Sequence, residues 1–111
     1  MQLDQRTVGD AMIITVNEPR IDALCAIQFK EQMRILSADA PQRVLLDLGQ
    51  VDFIDSSGLG AIVAALKQMN DGQSLELACL SETVQKVFRL TRMDSVFKIH
   101  ADVPDLGSCD A

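Results

Sequence analysis

The sequence contains no tryptophan, no tyrosine and a single histidine, with only four phenylalanines in 111 residues. Base-stacking platforms for single-stranded nucleic acid are built from such rings, so their scarcity argues against that class of partner. Charge argues the same way. Ten Lys and Arg stand against sixteen Asp and Glu, a formal net charge of −6, and a phosphate polyanion is repelled on balance. Cysteine is sparse too. Cys25, Cys79 and Cys109 show no CxxC spacing and no neighbouring histidine, which speaks against a zinc site or a disulfide framework. Cys25 and Cys79 lie in apolar stretches and read as buried free thiols, Cys109 as an exposed one. Long apolar runs are missing as well. The most apolar stretch, Leu59 to Leu66, is eight residues, far short of the ~20 that span a bilayer. Met1 to Arg6 is polar where a secretory leader is basic and then apolar. The expectation is a cytoplasmic, monomeric protein with neither membrane nor nucleic acid as partner.

What is present suits one globular domain: 48% of residues are apolar and 23% charged. Leu3 to Thr7 and Ala11 to Val16 read as strands joined by Val8-Gly9-Asp10, a short turn with the glycine such turns favour. Met12 to Val16 is nearly continuous in apolar character, as for a strand covered on both faces. Asn17 to Arg20 breaks it. Asp22 stands where a helix N-cap belongs, followed by a stripe of Leu24, Ile27, Phe29, Met33 and Leu36 that fades before Pro41. Val44 to Leu48 reads as a central strand, and residues 49–54 lead out of it. A second helix is expected from Ser56 to Met69, burying Leu59, Ile62, Val63, Leu66 and Met69, with Asn70-Asp71-Gly72 ending it. Ser74 to Cys79 reads as a further strand. Ser81 then caps a third helix with Val84, Val87, Phe88 and Thr91 inside, and Val96 to His100 forms a short edge strand. His100 is read as a surface residue. The order predicts an α/β domain over residues 1–100: a mixed, largely parallel sheet with an N-terminal antiparallel hairpin and helices packed against it. Residues 101–111, with Pro104, Gly107 and several aspartates, read as a flexible acidic tail.

One segment stands out as a place for chemistry. Asp52-Phe53-Ile54-Asp55-Ser56-Ser57-Gly58-Leu59-Gly60 joins the end of a central strand to the start of a helix, where open α/β sheets place their sites. Adjacent hydroxyls and glycines there offer exposed oxygens, close backbone approach and free N–H donors. The same residues also suit a structural role, with Asp55 or Ser56 as helix cap and the glycines permitting close packing. Enzymatic readings fail on spacing. Neither Ser56 nor Ser57 is flanked by the glycines of a nucleophile elbow, and a triad would have only His100 to call on. A dinucleotide fingerprint needs glycine where Val63 stands, and the Gly-Lys pair of a phosphate-binding loop is absent. Asp52 and Asp55 lack a third metal ligand at useful spacing. No catalytic group, metal or cofactor follows, so a nucleotide-hydrolysing domain is the weakest alternative.

Val44-Leu45-Leu46-Asp47-Leu48, followed by Phe53-Ile54-Asp55-Ser56-Ser57-Gly58-Leu59-Gly60, resembles the signature of STAS domains, specifically the bacterial anti-sigma factor antagonists. Val87 to Ile99 is similar to that family's third helix and last strand. The resemblance implies a STAS-like sheet of four to five strands. It implies a non-enzymatic partner-switching protein that binds an anti-sigma factor with a serine-kinase fold. Phosphorylation releases it and a serine phosphatase resets it. Carried over by motif, the phosphoacceptor is Ser56, and Asp22, Asp55, Ser57, Gly58 and Leu59 form the partner-binding set. Two departures are visible. Glu18-Pro19-Arg20-Ile21-Asp22 replaces the family's Gly-Glu/Asp-Leu/Ile-Asp, and residues 101–111 lack the helical period of a closing helix. The alternative implied by the same resemblance is a constitutive STAS module of a transporter or lipid-trafficking complex, never phosphorylated.

Overall fold

A polar edge strand, a nearly continuous apolar strand and one tight turn build the first two elements. Leu3–Val8 (β1) and Ala11–Val16 (β2) pair antiparallel, and Gly9 between them takes φ +60°, the left-handed geometry the turn requires. The computed structural model describes residues 2–101. Next come Arg20–Ile21 (β3), Ala26–Ala38 (α1), Arg43–Asp47 (β4), Phe53–Ile54 (β5) and Ser56–Lys67 (α2). Ser74–Ala78 (β6), Glu82–Leu90 (α3), a 3-10 turn at Met93–Ser95 and Ile99–His100 (β7) complete the order. The main sheet runs β1-β2-β4-β6-β7, and every pairing except β1 with β2 is parallel. This is the predicted mixed sheet with its antiparallel opening hairpin. All of the proposed tail except Ala101 lies outside the described residues.

The core lies on one face of that sheet. Met12, Val44 and Leu75 align across β2, β4 and β6, as do Ile14, Leu46 and Leu77, and all are buried against Phe29 and Met33 of α1, Ile62 of α2 and Phe88 of α3. Phe97 closes the α3 side, its ring edge-on to Phe88 with centroids 6.0 Å apart. On the opposite face Ala11, Ile13, Leu45, Ala78 and Cys79 form a smaller apolar cluster. β2 is thus buried along most of both faces, as its nearly continuous apolar run predicts.

Several expectations need correction. The chain before and after α1 holds two strands of two residues each, β3 and β5, paired in parallel as a separate ribbon. Strands so short leave no periodic trace. α1 begins at Ala26 and not beside Asp22, so Leu24 precedes the helix and is 92% exposed. Ile27 lies two residues from Phe29, on the opposite side of the helix, and is 77% exposed. The buried row is instead Phe29, Met33 and Ser37, with the Ser37 hydroxyl donating to the Met33 carbonyl at 2.7 Å. In α2 the most buried row is Gly58, Ala61, Ile62 and Ala65, while Leu59, Val63 and Leu66 pack only partly against the core. Three of the four in that buried row are small and let the helix axis sit close to the sheet, with Ile62 buried as expected. Ser81 caps α3 as expected, accepting from the Val84 amide at 3.3 Å. Cys25 is a half-buried free thiol, whereas Cys79 is disulfide-bonded and not free.

His100 is not a bare surface residue. Its Nε2 donates to Glu76 Oε1 at 2.6 Å, and Glu76, on β6, is only 6% exposed. Arg43 of β4 grips both carboxylate oxygens at 3.1 Å, and the Ser74 hydroxyl donates at 3.3 Å. The Arg43 guanidinium holds the Glu76 carboxyl down to about 2, against burial, which pushes it up; His100 and Ser74 add to the lowering. A buried charge thereby ties β4, β6 and β7 across the sheet.

Candidate functional site

The site grows from the place where the β3–β5 ribbon meets the start of α2. Asp55 follows β5 in extended geometry (φ −96°, ψ −177°) and caps α2, Oδ1 accepting from the Gly58 amide at 2.8 Å. Its other oxygen reaches across to the Ala23 amide at 3.2 Å. The Asp55 amide in turn donates to the Ile21 carbonyl at 3.4 Å. Asp22 does not cap α1. Its Oδ1 accepts from the Leu24 amide at 3.1 Å, shaping a turn one step before the helix, and Cys25 occupies the cap position without a side-chain bond.

Gly58 has a reason internal to the fold. A Cβ at this position would stand 2.0 Å from the Ile21 carbonyl oxygen, so the helix and the β3 backbone touch where a side chain would be. Gly58 is buried. Ser56 and Ser57 are exposed on the first turn of α2, and Leu59 is half-buried. Of the residues singled out from the sequence, Asp22, Asp55, Ser56, Ser57, Gly58 and Leu59 thus lie around one helix end, with Gly58 beneath the surface.

From Ser56 an open groove of about 460 Å³ runs along α2, lined by Ser56, Leu59, Gly60, Val63, Ala64, Lys67 and Met93. Exposed Leu24, Ile27 and Phe53 lie on the elements around the same helix end. Sequence reasoning missed these exposed apolar residues because it assigned Leu24 and Ile27 to the core. The Ala23 amide was missed because a backbone donor leaves no mark in residue types. Among the described residues no group of three or more His, Cys, Asp or Glu is placed to hold a metal ion. No helix among them is long and apolar enough to cross a membrane. The arrangement offers exposed hydroxyls at a helix end beside apolar surface.

Comparison with known proteins agrees with this geometry. The model of the STAS domain matches residues 2–106. The chain belongs to the STAS domain family. This STAS domain is 32% identical over 100 residues to the anti-sigma-B factor antagonist of Listeria monocytogenes, covering 89% of this chain and 86% of the relative. Its fold is similar to the crystal structure of an anti-sigma factor antagonist from Mycobacterium paratuberculosis, with a TM-score of 0.83, 19% identity, and coverage of 94% of this chain and 88% of that one. It is also similar to the Bacillus cell fate determinant SpoIIAA in its phosphorylated form, with a TM-score of 0.63, 17% identity, and coverage of 88% and 90%.

Proposed function

We propose that this STAS domain is an anti-sigma factor antagonist. It binds an anti-sigma factor of serine-kinase fold over the start of α2, and phosphorylation of Ser56 by that partner releases it. The observation that carries this reading is the placement of Ser56: exposed on the first turn of α2, on a backbone fixed by Asp55 and Gly58, at the head of an apolar groove. In the transfer the Ser56 hydroxyl oxygen bonds to the γ-phosphorus of ATP, ADP leaves, and the hydroxyl proton passes to a base of the kinase. A serine phosphatase reverses the state by hydrolysis. The domain itself is substrate and ligand, not catalyst, and works as a monomer in the cytoplasm.

The physics of the switch is local. A phosphate adds about −1.5 to −2 charge beside Asp55 and Asp52. The helix N-terminus tolerates that charge, because unpaired amides and the helix dipole favour an anion there. A docked partner meets both charge and bulk, and a change of about 2.7 kcal/mol is already a hundredfold in affinity. Incubation with the cognate regulator and ATP, followed by mass spectrometry, is expected to place one phosphate on Ser56. Ser56→Ala should bind and stay unmodified, and Ser56→Asp should bind at least about tenfold more weakly. Phosphate at another residue, or Ser56→Asp binding as tightly as the parent, rejects the reading.

A further inference from the structure

The Asp55 carboxylate makes two hydrogen bonds of different kinds. Oδ1 caps α2 through the Gly58 amide, and Oδ2 holds the Ala23 amide, 32 residues earlier in the chain. The turn over residues 22–25 is otherwise bonded to itself and to β3. The Leu24 and Cys25 amides donate to Asp22, the Asp22 amide to the Cys25 sulfur, and the Cys25 thiol points to the Arg20 carbonyl. Among the described residues, then, Asp55 Oδ2 is the one hydrogen-bond acceptor that fixes this turn to α2. The turn carries Leu24 and leads into Ile27, the exposed apolar residues nearest to it in the chain.

We propose that Asp55 is a positioning residue that couples the state of Ser56 to the Leu24–Ile27 surface. A phosphate on Ser56 displaces the Asp55 carboxylate and releases the turn at Ala23. The proposal rests on the reading of Ser56 as phosphoacceptor. Its physical basis is adjacency: the phosphate sits on the next residue, repels the carboxylate at short range, and brings strong acceptor oxygens to the same helix end. The Ser56 and Ser57 amides have no acceptor within the described residues, so the phosphate has donors of its own and the cap can be given up. Asp55 is in relaxed extended geometry, so its side chain can rotate away without backbone strain.

The test is the water-exchange rate of the Ala23 amide, read by NMR saturation transfer on the full chain. Phosphoserine is installed at position 56 during translation, so no kinase is needed. Asp55→Ala removes both acceptors. Asp55→Asn, the second variant, keeps a good helix cap but has one acceptor oxygen for two amides, so it reports even if the alanine variant does not fold. Phosphoserine at 56 is expected to accelerate exchange at Ala23 about tenfold, as is loss of the Asp55 acceptor, and the two together no more than either alone. Exchange at Ala23 within about twofold of the parent on phosphorylation, or a phosphate effect that persists undiminished in the Asp55 variants, overturns the coupling. Because the phosphate is installed directly, such a failure is separate from failure of the regulator to modify Ser56, which the mass-spectrometric experiment reads.

Discussion

At the scale of single residues, the start of α2 is held by contacts that leave little room for change. The approach of the Gly58 backbone to the Ile21 carbonyl, with 2.0 Å left for a Cβ, has no flexible neighbour to give way. Gly58→Ala is expected to cost about 3 kcal/mol, as overpacking against backbone does, and to show as a lowered urea midpoint with unchanged slope. A loss below about 1 kcal/mol would mean that the ribbon yields. The chemistry of this helix end is legible because Asp55, Ser56 and Ser57 are consecutive, and capping residues ahead of an apolar-periodic run announce a helix start. Glu76 was not legible. Its partners Arg43 and His100 are 33 and 24 residues away, and nothing local distinguishes a buried glutamate from a solvated one.

At the scale of elements, the helices were readable by period and cap, and the errors came from phase. The largest side chains of α2 suggest its inner face, and Ile62 is buried as that predicts, but its companions on the buried row are Gly58, Ala61 and Ala65 while Leu59, Val63 and Leu66 are only partly covered. α1 was started at the first capping residue, and the turn at Asp22 to Cys25 shows that an Asx bond can end before a helix begins. Within α2, Gly60 has no such internal demand: it is exposed, and an added Cβ meets nothing within 4 Å. Gly60→Ala is therefore expected to stabilise the domain by about 0.5–1 kcal/mol through helix propensity. Thermal unfolding should rise by several degrees, roughly 4–8 °C per kcal/mol at this size. A lowered midpoint would contradict the open geometry of that face. Because Gly60 lines the groove that starts at Ser56, the same variant should weaken partner binding, which a titration of the cognate regulator measures.

At the scale of the whole molecule, the parallel order of β2, β4 and β6 was legible from alternating strands and helices, and the buried ion network across it was not. That network makes stability depend on acid in a defined direction. The Glu76 carboxyl is held at about 2 in the folded chain against an ordinary 4.5, so the unfolded chain takes up the proton first as pH falls. The contribution is complete above 4.5 and is lost as pH drops toward 2. Its size is on the order of 2 kcal/mol once solvent screening at the half-exposed Arg43 is allowed for. Urea midpoints measured between pH 5 and pH 2 should fall, and Glu76→Gln should flatten that part of the curve. The same topology bears on time as well as strength. β2 finds β4, and β4 finds β6, only across separations of about thirty residues, so loop closure must precede any reward from the sheet. The Ser56 loop forms where β3 meets β5, across a similar gap. An unfolded chain therefore carries the letters Asp55-Ser56-Ser57-Gly58 without their shape, and whatever recognises that shape distinguishes folded molecules from unfolded ones.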